Sequence, residues 1–356
     1  MKVTIGRRQL LAALGGAAAA WPLAARAQQS VKIPRIGIID DAPIWDHFRR
    51  GLRDIGYLEG REIAFEYRSA DGEPGPLAAA AKELAAVPVD IRGTAATRAA
   101  QQATSTIPIV MIAIGDPVRA GLVPNLARPG GNSTGNSMLG AEMTPKRAQL
   151  LKQLVPQLSR LAFLWNRNNA SHLAYLDEWR AAVPKLDAQL LFIEVSRDED
   201  FEPAFEKMVQ ERTDALSITA DPFHLSHVAW IIDFVAKHRL PTMYVLKENV
   251  VAGGLMSYGP SIPDLYRRAA GYVHKILQGT SPADLPVEQP VNFELAINAR
   301  TAKAIGLEVS PMLLSHAAAP PSSVMNARRA IIRSPRRRGR VASAKPRDRS
   351  PWRFGR

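Results

Sequence analysis

The chain of 356 residues contains no cysteine. That absence excludes disulfides, thiolate metal sites and a cysteine nucleophile. It also excludes a lipid-anchored export form, which needs a cysteine just after its leader. Beyond the first thirty residues no apolar run reaches the length of about 18 residues that a membrane span requires, so the mature protein is expected to be soluble. There is no G-x-G-x-x-G opening a helix and no Walker A sequence, which argues against nucleotide binding. A basic footprint for nucleic acid is missing too, although the formal charge is +13. From Ser315 to the end there are twelve Arg/Lys and one acid, a net +11. Lys2, Arg7, Arg8 and Arg26 sit at the N-terminus. The stretch between, residues 28–314, holds thirty bases and thirty-two acids, a net −2. The positive charge is at the two ends, and nucleic acid is not an expected partner of the core.

The N-terminus has the three parts of a secretory signal. Lys2, Arg7 and Arg8 supply the positive start, Leu10 to Trp21 the apolar stretch, and Ala25-Arg26-Ala27 the small-x-small cleavage site. Residues 1–27 therefore read as a leader. Arg7-Arg8 followed by Gln9, Leu10 and Leu11 is similar to the twin-arginine export signal, with Gly6 where Ser or Thr is usual. An exported, soluble chain without a lipid anchor suits a bacterial periplasm.

The remainder alternates strand and helix patterns. Strands are expected over 35–40, 62–67, 89–94 and 107–114, with helices over 44–55, 77–87 and 95–104. Residues 128–135 read as a Gly/Pro/Asn-rich loop. The pattern then restarts. Strands follow over 161–165, 190–195, 215–219, 241–245 and 255–258, and helices over 145–155, 171–183, 201–210 and 225–238. A helix over 262–277 and a strand over 293–297 remain after the second run and read as returning to complete the first domain. Alternating βα units imply parallel sheets with right-handed crossovers. The expected fold class is α/β, with two doubly wound parallel-sheet lobes joined by a multi-crossover hinge. The lobes are drawn as 28–138 plus 262–285 and 139–261 plus 286–314.

The order of motifs resembles one family. The leader from Ala17 to Gln29 belongs to the set, with Gly51-Leu52, Gly56-Tyr57 and Glu59-Gly60. The set continues with Ala103 to Val110, Gly115-Asp116-Pro117-Val118, Gly121-Leu122-Val123, Arg128 to Asn132 and Thr134-Gly135. It closes with Ala220-Asp221-Pro222-Phe223, Gly253 to Gly259 and Ala283 to Val287. Together they are similar to the ABC-transporter substrate-binding proteins of the tryptophan/tyrosine transport type, in register over residues 1–314. The resemblance implies a type 1 periplasmic binding-protein fold and a monomer without cofactor or catalysis. It also implies an amino acid or aromatic compound as ligand, and an inner-membrane permease with a cytoplasmic ATPase as partners. Two other readings stay open: an α/β hydrolase-like enzyme and a ligand-sensing module for a receptor. The resemblance stops near Leu314. Residues 315–356 are Arg/Ala/Pro/Ser-rich and aperiodic, and read as a disordered basic tail that is either a shifted reading frame or a genuine basic extension.

Ligands of open parallel sheets bind outside the carboxyl ends of strands. The candidates there are Asp40, Thr94, Thr97, Asp116, Asn166, Asp221, Tyr244 and Tyr258. Asp116 and Asp221 each precede a proline and either accept a ligand ammonium or hydroxyl or cap a turn or helix. They are expected to face each other across the cleft. Thr94 and Thr97 either hold a carboxylate with the helix N–H groups or serve as caps. Asp40 ends the first strand. Asn166 is by default a turn residue. Tyr244 and Tyr258 either stack on a ligand ring or pack in the core. Gly131 to Gly135 fits G-x-S-x-G, but the loop chemistry of Arg128-Pro129-Gly130 precedes Ser133 where a nucleophile elbow needs a strand. His224 and His227 are three apart without the further ligands of a metal site.

Overall fold

The computed structural model describes residues 33–39, 44–68, 74–84 and 89–317. The leader, Asp40 and residues 318–356 of the tail lie outside the described residues. The first sheet comprises β1 (Arg35–Ile39), β2 (Ala64–Arg68), β3 (Val89–Arg92), β4 (Ile109–Ile114) and β5 (Ser133–Ser137), all parallel in the order β2-β1-β3-β4-β5. Its helices are α1 (Trp45–Asp54), α2 (Pro74–Leu84) and α3 (Thr94–Ala103). The second sheet comprises β6 (Arg160–Trp165), β7 (Gln189–Glu194), β8 (Ala215–Ile218), β9 (Thr242–Tyr244), β10 (Met256–Pro260) and β11 (Phe293–Ile297). They run in the order β11-β10-β9-β8-β6-β7, and only β11 is antiparallel to its neighbour. Helices α4 (Thr144–Leu154), α5 (His172–Ala182), α6 (Phe201–Gln210), α7 (Pro222–Ser226), α8 (Val228–Lys237) and α9 (Lys247–Val251) accompany it. The chain closes with α10 (Ile262–Leu277), which precedes β11, then α11 (Ala299–Ala304) and α12 (Pro311–His316).

These elements form because their apolar residues repeat at the right period. β4, Ile-Val-Met-Ile-Ala-Ile, is buried at every position, as a parallel strand covered on both faces must be. α6 buries Phe201, Ala204, Phe205 and Met208, one helical face at i, i+3, i+4, i+7. α1 buries Trp45, Phe48 and Leu52 against α10, where Trp45 meets Tyr266 edge-on at 5.1 Å. α10 thus lies on the first sheet although it follows β10 of the second.

The chain crosses between the sheets between β5 and α4, between β10 and α10, and along residues 285–293. On the last passage Glu288 accepts from Ser137 N–H and donates its own N–H to Gly135, so the segment runs beside β5 before reaching β11. Buried polar side chains anchor these crossings. Thr134 Oγ1 donates to Leu285 O at 2.6 Å. Asn136 Nδ2 donates to Leu265 O, and its Oδ1 accepts Ala113 N–H, both at 2.9 Å. Ala113 has a left-handed φ of 54° where the β4–β5 register shifts. That irregularity, plugged by Asn136, aims the end of β4 into the space between the sheets.

Three sequence expectations need correction. Residues 133–137 form a fully buried strand rather than the end of a loop, because long-range partners take up the side chains of Ser133, Thr134 and Asn136. The strand Phe293–Ile297 does not complete the first domain; it pairs with β10 at the edge of the second sheet. The expected helix over 225–238 is two helices, α7 starting earlier at Pro222 and α8, which break at His227. Helices α9, α11 and α12 were not anticipated, and α12 runs past the boundary drawn at residue 314.

Candidate functional site

A narrow cleft lies between the carboxyl ends of the two sheets. From the first sheet it is walled by Gly93 and Thr94 at the start of α3, and by Ala113 and Gly115 at the end of β4. The second sheet contributes Asn169, Ser171, His172 and Tyr175 from the β6–α5 turn and α5. It also contributes Ala220, Asp221, Pro222 and Leu225 after β8, and Leu246 after β9. Met138 and Ile262, both at crossings, close the floor.

Asp221 is the centre of the second wall. It is 4% exposed. Its Oδ1 accepts from Phe223 N–H, His224 N–H and Asn166 Nδ2 at 3.1–3.2 Å, and its Oδ2 accepts from Asn169 Nδ2 at 2.8 Å. Two of those donors are the open N–H groups of α7, so Asp221 is that helix's N-cap. Burial works against the charged form, but the His224 and His172 rings, charged in the acid range where the carboxyl titrates, and the amide donors outweigh it and hold the carboxyl below its usual range. Among the described residues no Lys or Arg pairs with it. His172 Nε2 lies 3.6 Å from Oδ2, but His172 Nδ1 accepts Asn166 N–H at 2.9 Å and so carries no proton. Burial lowers its pKa to about 4, and burial lowers that of His224 as well. Both rings are neutral at pH 7. The wall presents a buried carboxylate charge without a counter-ion.

Opposite it, α3 starts at Gly93 with no side-chain cap, leaving its first N–H groups open. Thr94 Oγ1 and Ser171 Oγ meet across the cleft at 2.6 Å. Near the mouth Arg119 bonds Asp177 at 2.5 Å, again from one lobe to the other. The lobes are closed on each other. Their approach is tight at Gly115, where an added Cβ would sit 2.8 Å from Ser171 Cβ. The backbone there accepts an alanine, so the clash burdens only the closed form. Gly115→Ala is expected to weaken ligand binding tenfold to a hundredfold, from an overpacking cost of about 1–3 kcal/mol. Small-angle scattering should show a more open particle with an unchanged melting temperature. A variant that binds as tightly as the parent would show that closure does not bring these residues together.

Residues 42–320 match the family described as ABC transporter substrate binding protein. The chain belongs to this family. A curated relative, a tyrosine-binding protein of Clostridioides difficile (strain R20291), is 26% identical over 265 residues, which are 73% of this chain and 76% of the relative. Among solved structures, a conserved domain protein from Vibrio cholerae superposes with a TM-score of 0.75 at 25% identity, covering 80% of this chain and 99% of that one. An ABC domain in complex with L-Trp from Streptococcus pneumonia gives a TM-score of 0.75 at 24% identity with the same coverage. The architecture is the type 1 periplasmic binding-protein fold.

In this substrate-binding protein the sequence candidates fall in different places. Thr94 and Asp221 line the cleft. Asn166 stands behind the wall, donating to Asp221 and accepting Asn168 N–H at 2.9 Å. Thr97 is buried within α3 and donates back to Gly93 O. Asp116 caps the turn after β4, accepting Val118 and Arg119 N–H, and does not face Asp221 from the cleft lining. Tyr244 is 1% exposed in the core under α6 and α8, where burial raises its pKa. Tyr258 stacks on Phe293 at 6.1 Å. Asp40 lies outside the described residues. Ser133 opens β5 and bonds Gln101, with no strand-to-helix elbow beneath it. His224 Nε2 donates to Val195 O, and His227 contacts Asp198, so the two are not a ligand pair. The sequence reading missed Ser171, His172 and Tyr175. Their signal is a polar residue at each of positions 171, 172 and 175, directly after the Asn-rich turn that ends β6.

Proposed function

We propose that this protein captures an L-amino acid with an aromatic side chain in the interlobe cleft. The observation that carries the reading is the buried, uncompensated Asp221 carboxylate opposite the open N-terminus of α3 and the Thr94–Ser171 hydroxyl pair. An ammonium neutralises the first, and a carboxylate is held by the second. A zwitterion with one end on each wall touches both lobes only when they close. Ligand then shifts the population to the closed form. The relative named a tyrosine-binding protein supports an aromatic amino acid as cargo.

In this reading residues 1–27 direct export to the periplasm, by a twin-arginine-like route. The closed form delivers its cargo to an inner-membrane permease driven by a cytoplasmic ATPase. The lobes move about the crossings as the units drawn from the sequence. Among the described residues no helix is long and apolar enough to cross a membrane. The cleft geometry does not favour hydrolysis. Ser171 Oγ pairs with Thr94, while the His172 nitrogens face Asn166 N–H and Asp221, so no base touches a serine.

Calorimetry tests the assignment of the two ends. L-Tyrosine and L-tryptophan should bind. Tyramine, without the carboxylate, and 3-(4-hydroxyphenyl)propionate, without the amine, should each bind at least a hundredfold more weakly, since each leaves a buried polar wall unpaired, at a cost of about 3 kcal/mol or more. Equal binding by either analogue, or none by the amino acids, would end this reading.

A further inference from the structure

One part of the cleft wall is not used by either end of the zwitterion. His172 and Tyr175 stand three apart on α5, so they share a face, and both line the cleft. Their rings meet edge-on at 6.1 Å. Because Asn166 N–H occupies His172 Nδ1, the ring carries its proton on Nε2. That N–H is buried and makes no well-formed hydrogen bond, Asp221 Oδ2 standing 3.6 Å away. The Tyr175 hydroxyl is buried; its oxygen lies toward Arg147, and its proton has no acceptor. Its ring is fixed by stacking on Phe163, and its oxygen fills the space that a Cβ on residue 140 would take, which Gly140 leaves free.

Behind Tyr175 lies Arg147, 1% exposed. Its Nε donates to Tyr258 O at 2.7 Å and its Nη1 to Gly140 O, one carbonyl at each of two crossings between the lobes. Its Nη2 has no hydrogen-bond partner, and among the described residues it forms no ion pair with a carboxylate. Its charge acts on the Tyr175 phenol, the guanidinium centre lying 5.9 Å from the ring. Buried donors are costly to leave unmade. Two of them on one helix face, with a buried cation behind, make a wall built for an oxygen acceptor.

We propose that the His172–Tyr175 face of α5, backed by Arg147, is a donor subsite that reads an oxygen on the ligand's side chain. The proposal rests on the amino-acid reading, in which Asp221 and the Thr94–Ser171 side are taken by the ammonium and carboxylate. It selects, within the aromatic amino acids, the ligand whose ring bears an oxygen. A plain phenyl ring leaves both donors unpaired, whereas a phenolic oxygen accepts from them. His172 and Tyr175 are ligand contacts; Arg147 is a positioning residue that acts through Tyr175.

The test compares the parent protein with Tyr175→Phe by calorimetry, using L-tyrosine and L-phenylalanine as probes, together with the melting temperature of each ligand-free protein. The parent should prefer L-tyrosine at least tenfold. Tyr175→Phe should lose most of that preference while binding L-phenylalanine as before. Its ligand-free melting temperature should match or exceed the parent's, because no well-formed internal hydrogen bond is removed. A parent without preference, or a variant that keeps it, overturns the subsite alone. A fall of many degrees in the ligand-free variant also overturns it, since the hydroxyl would then serve the fold. Binding of neither probe by the parent overturns the amino-acid reading and the subsite with it.

Discussion

Asp221→Asn will weaken the binding of L-tyrosine by two to three orders of magnitude and lower the stability of the ligand-free protein only modestly. The change removes the charge and little else. Asparagine is as good an N-cap as aspartate, so Oδ1 still accepts the two α7 N–H groups and the Asn166 amide. The loss falls on Oδ2, which faces the Asn169 amide and would become an amide nitrogen. The Asn169 amide also accepts Ser171 N–H through its own oxygen, so one misplaced bond is the price, about 1 kcal/mol. The fold also favours the charged form, since the surroundings hold the Asp221 pKa below its usual range, so loss of the charge adds to that cost. In the complex the balance is different. The ammonium is desolvated against a neutral amide, and removing one partner of a buried charge pair costs about 3–5 kcal/mol. Calorimetry and a thermal melt decide together. Affinity kept within threefold would mean that Asp221 caps α7 and does nothing for the ligand.

What the sequence made legible follows from where the deciding interactions lie. Runs such as Ile109–Ile114 and Arg160–Trp165 are apolar over a strand's length, so burial on both faces can be read locally. Ser-Thr-Gly-Asn-Ser carries no such pattern. Its burial in β5 depends on Leu285 O, Leu265 O and Ala113 N–H, partners up to 151 positions away. The strand-end rule placed Thr94 and Asp221 in the cleft because both sit where a strand gives way to a helix. It failed to separate them from Tyr244, which also ends a strand but packs among the side chains beneath α6 and α8. The α5 residues were out of reach for another reason. His172, Tyr175, Leu176 and Trp179 form one buried face at i, i+3, i+4, i+7, and nothing in that spacing marks which of them meets the cleft and which packs on the sheet. Tyr175 and Trp179 both pack on Phe163, and only the closed arrangement of the lobes places Tyr175 on the cleft.

The second large effect is on stability, in mildly acid solution. Between pH 6.5 and 4 the ligand-free protein will lose on the order of 3 kcal/mol, most of it through His172. In the unfolded chain this imidazole takes up a proton near 6.5; in the fold, burial lowers its pKa to about 4. A lowered folded pKa means that the unfolded state binds the proton first. The stabilisation is therefore complete above 6.5 and is lost as the pH falls through the window toward 4. The geometry gives the same direction independently, since a proton on Nδ1 would confront the Asn166 N–H that this atom now accepts. His224, also lowered by burial, adds to the loss. Asp221 does not act in this window, because its pKa is held below the usual carboxylate value and its stabilisation fails only at lower pH. Glu142 works in the opposite sense: half-burial raises its pKa, so protonation relieves a cost as the pH drops. Urea melts at pH 7, 6, 5 and 4 measure the sum, and His172→Gln, whose side-chain oxygen can still accept Asn166 N–H, isolates the main contributor. The variant should flatten the slope between pH 6 and 4. A parent whose stability stays level across that range would mean that His172 is charged in the fold and paired with Asp221, which would leave the cleft no free carboxylate for an ammonium.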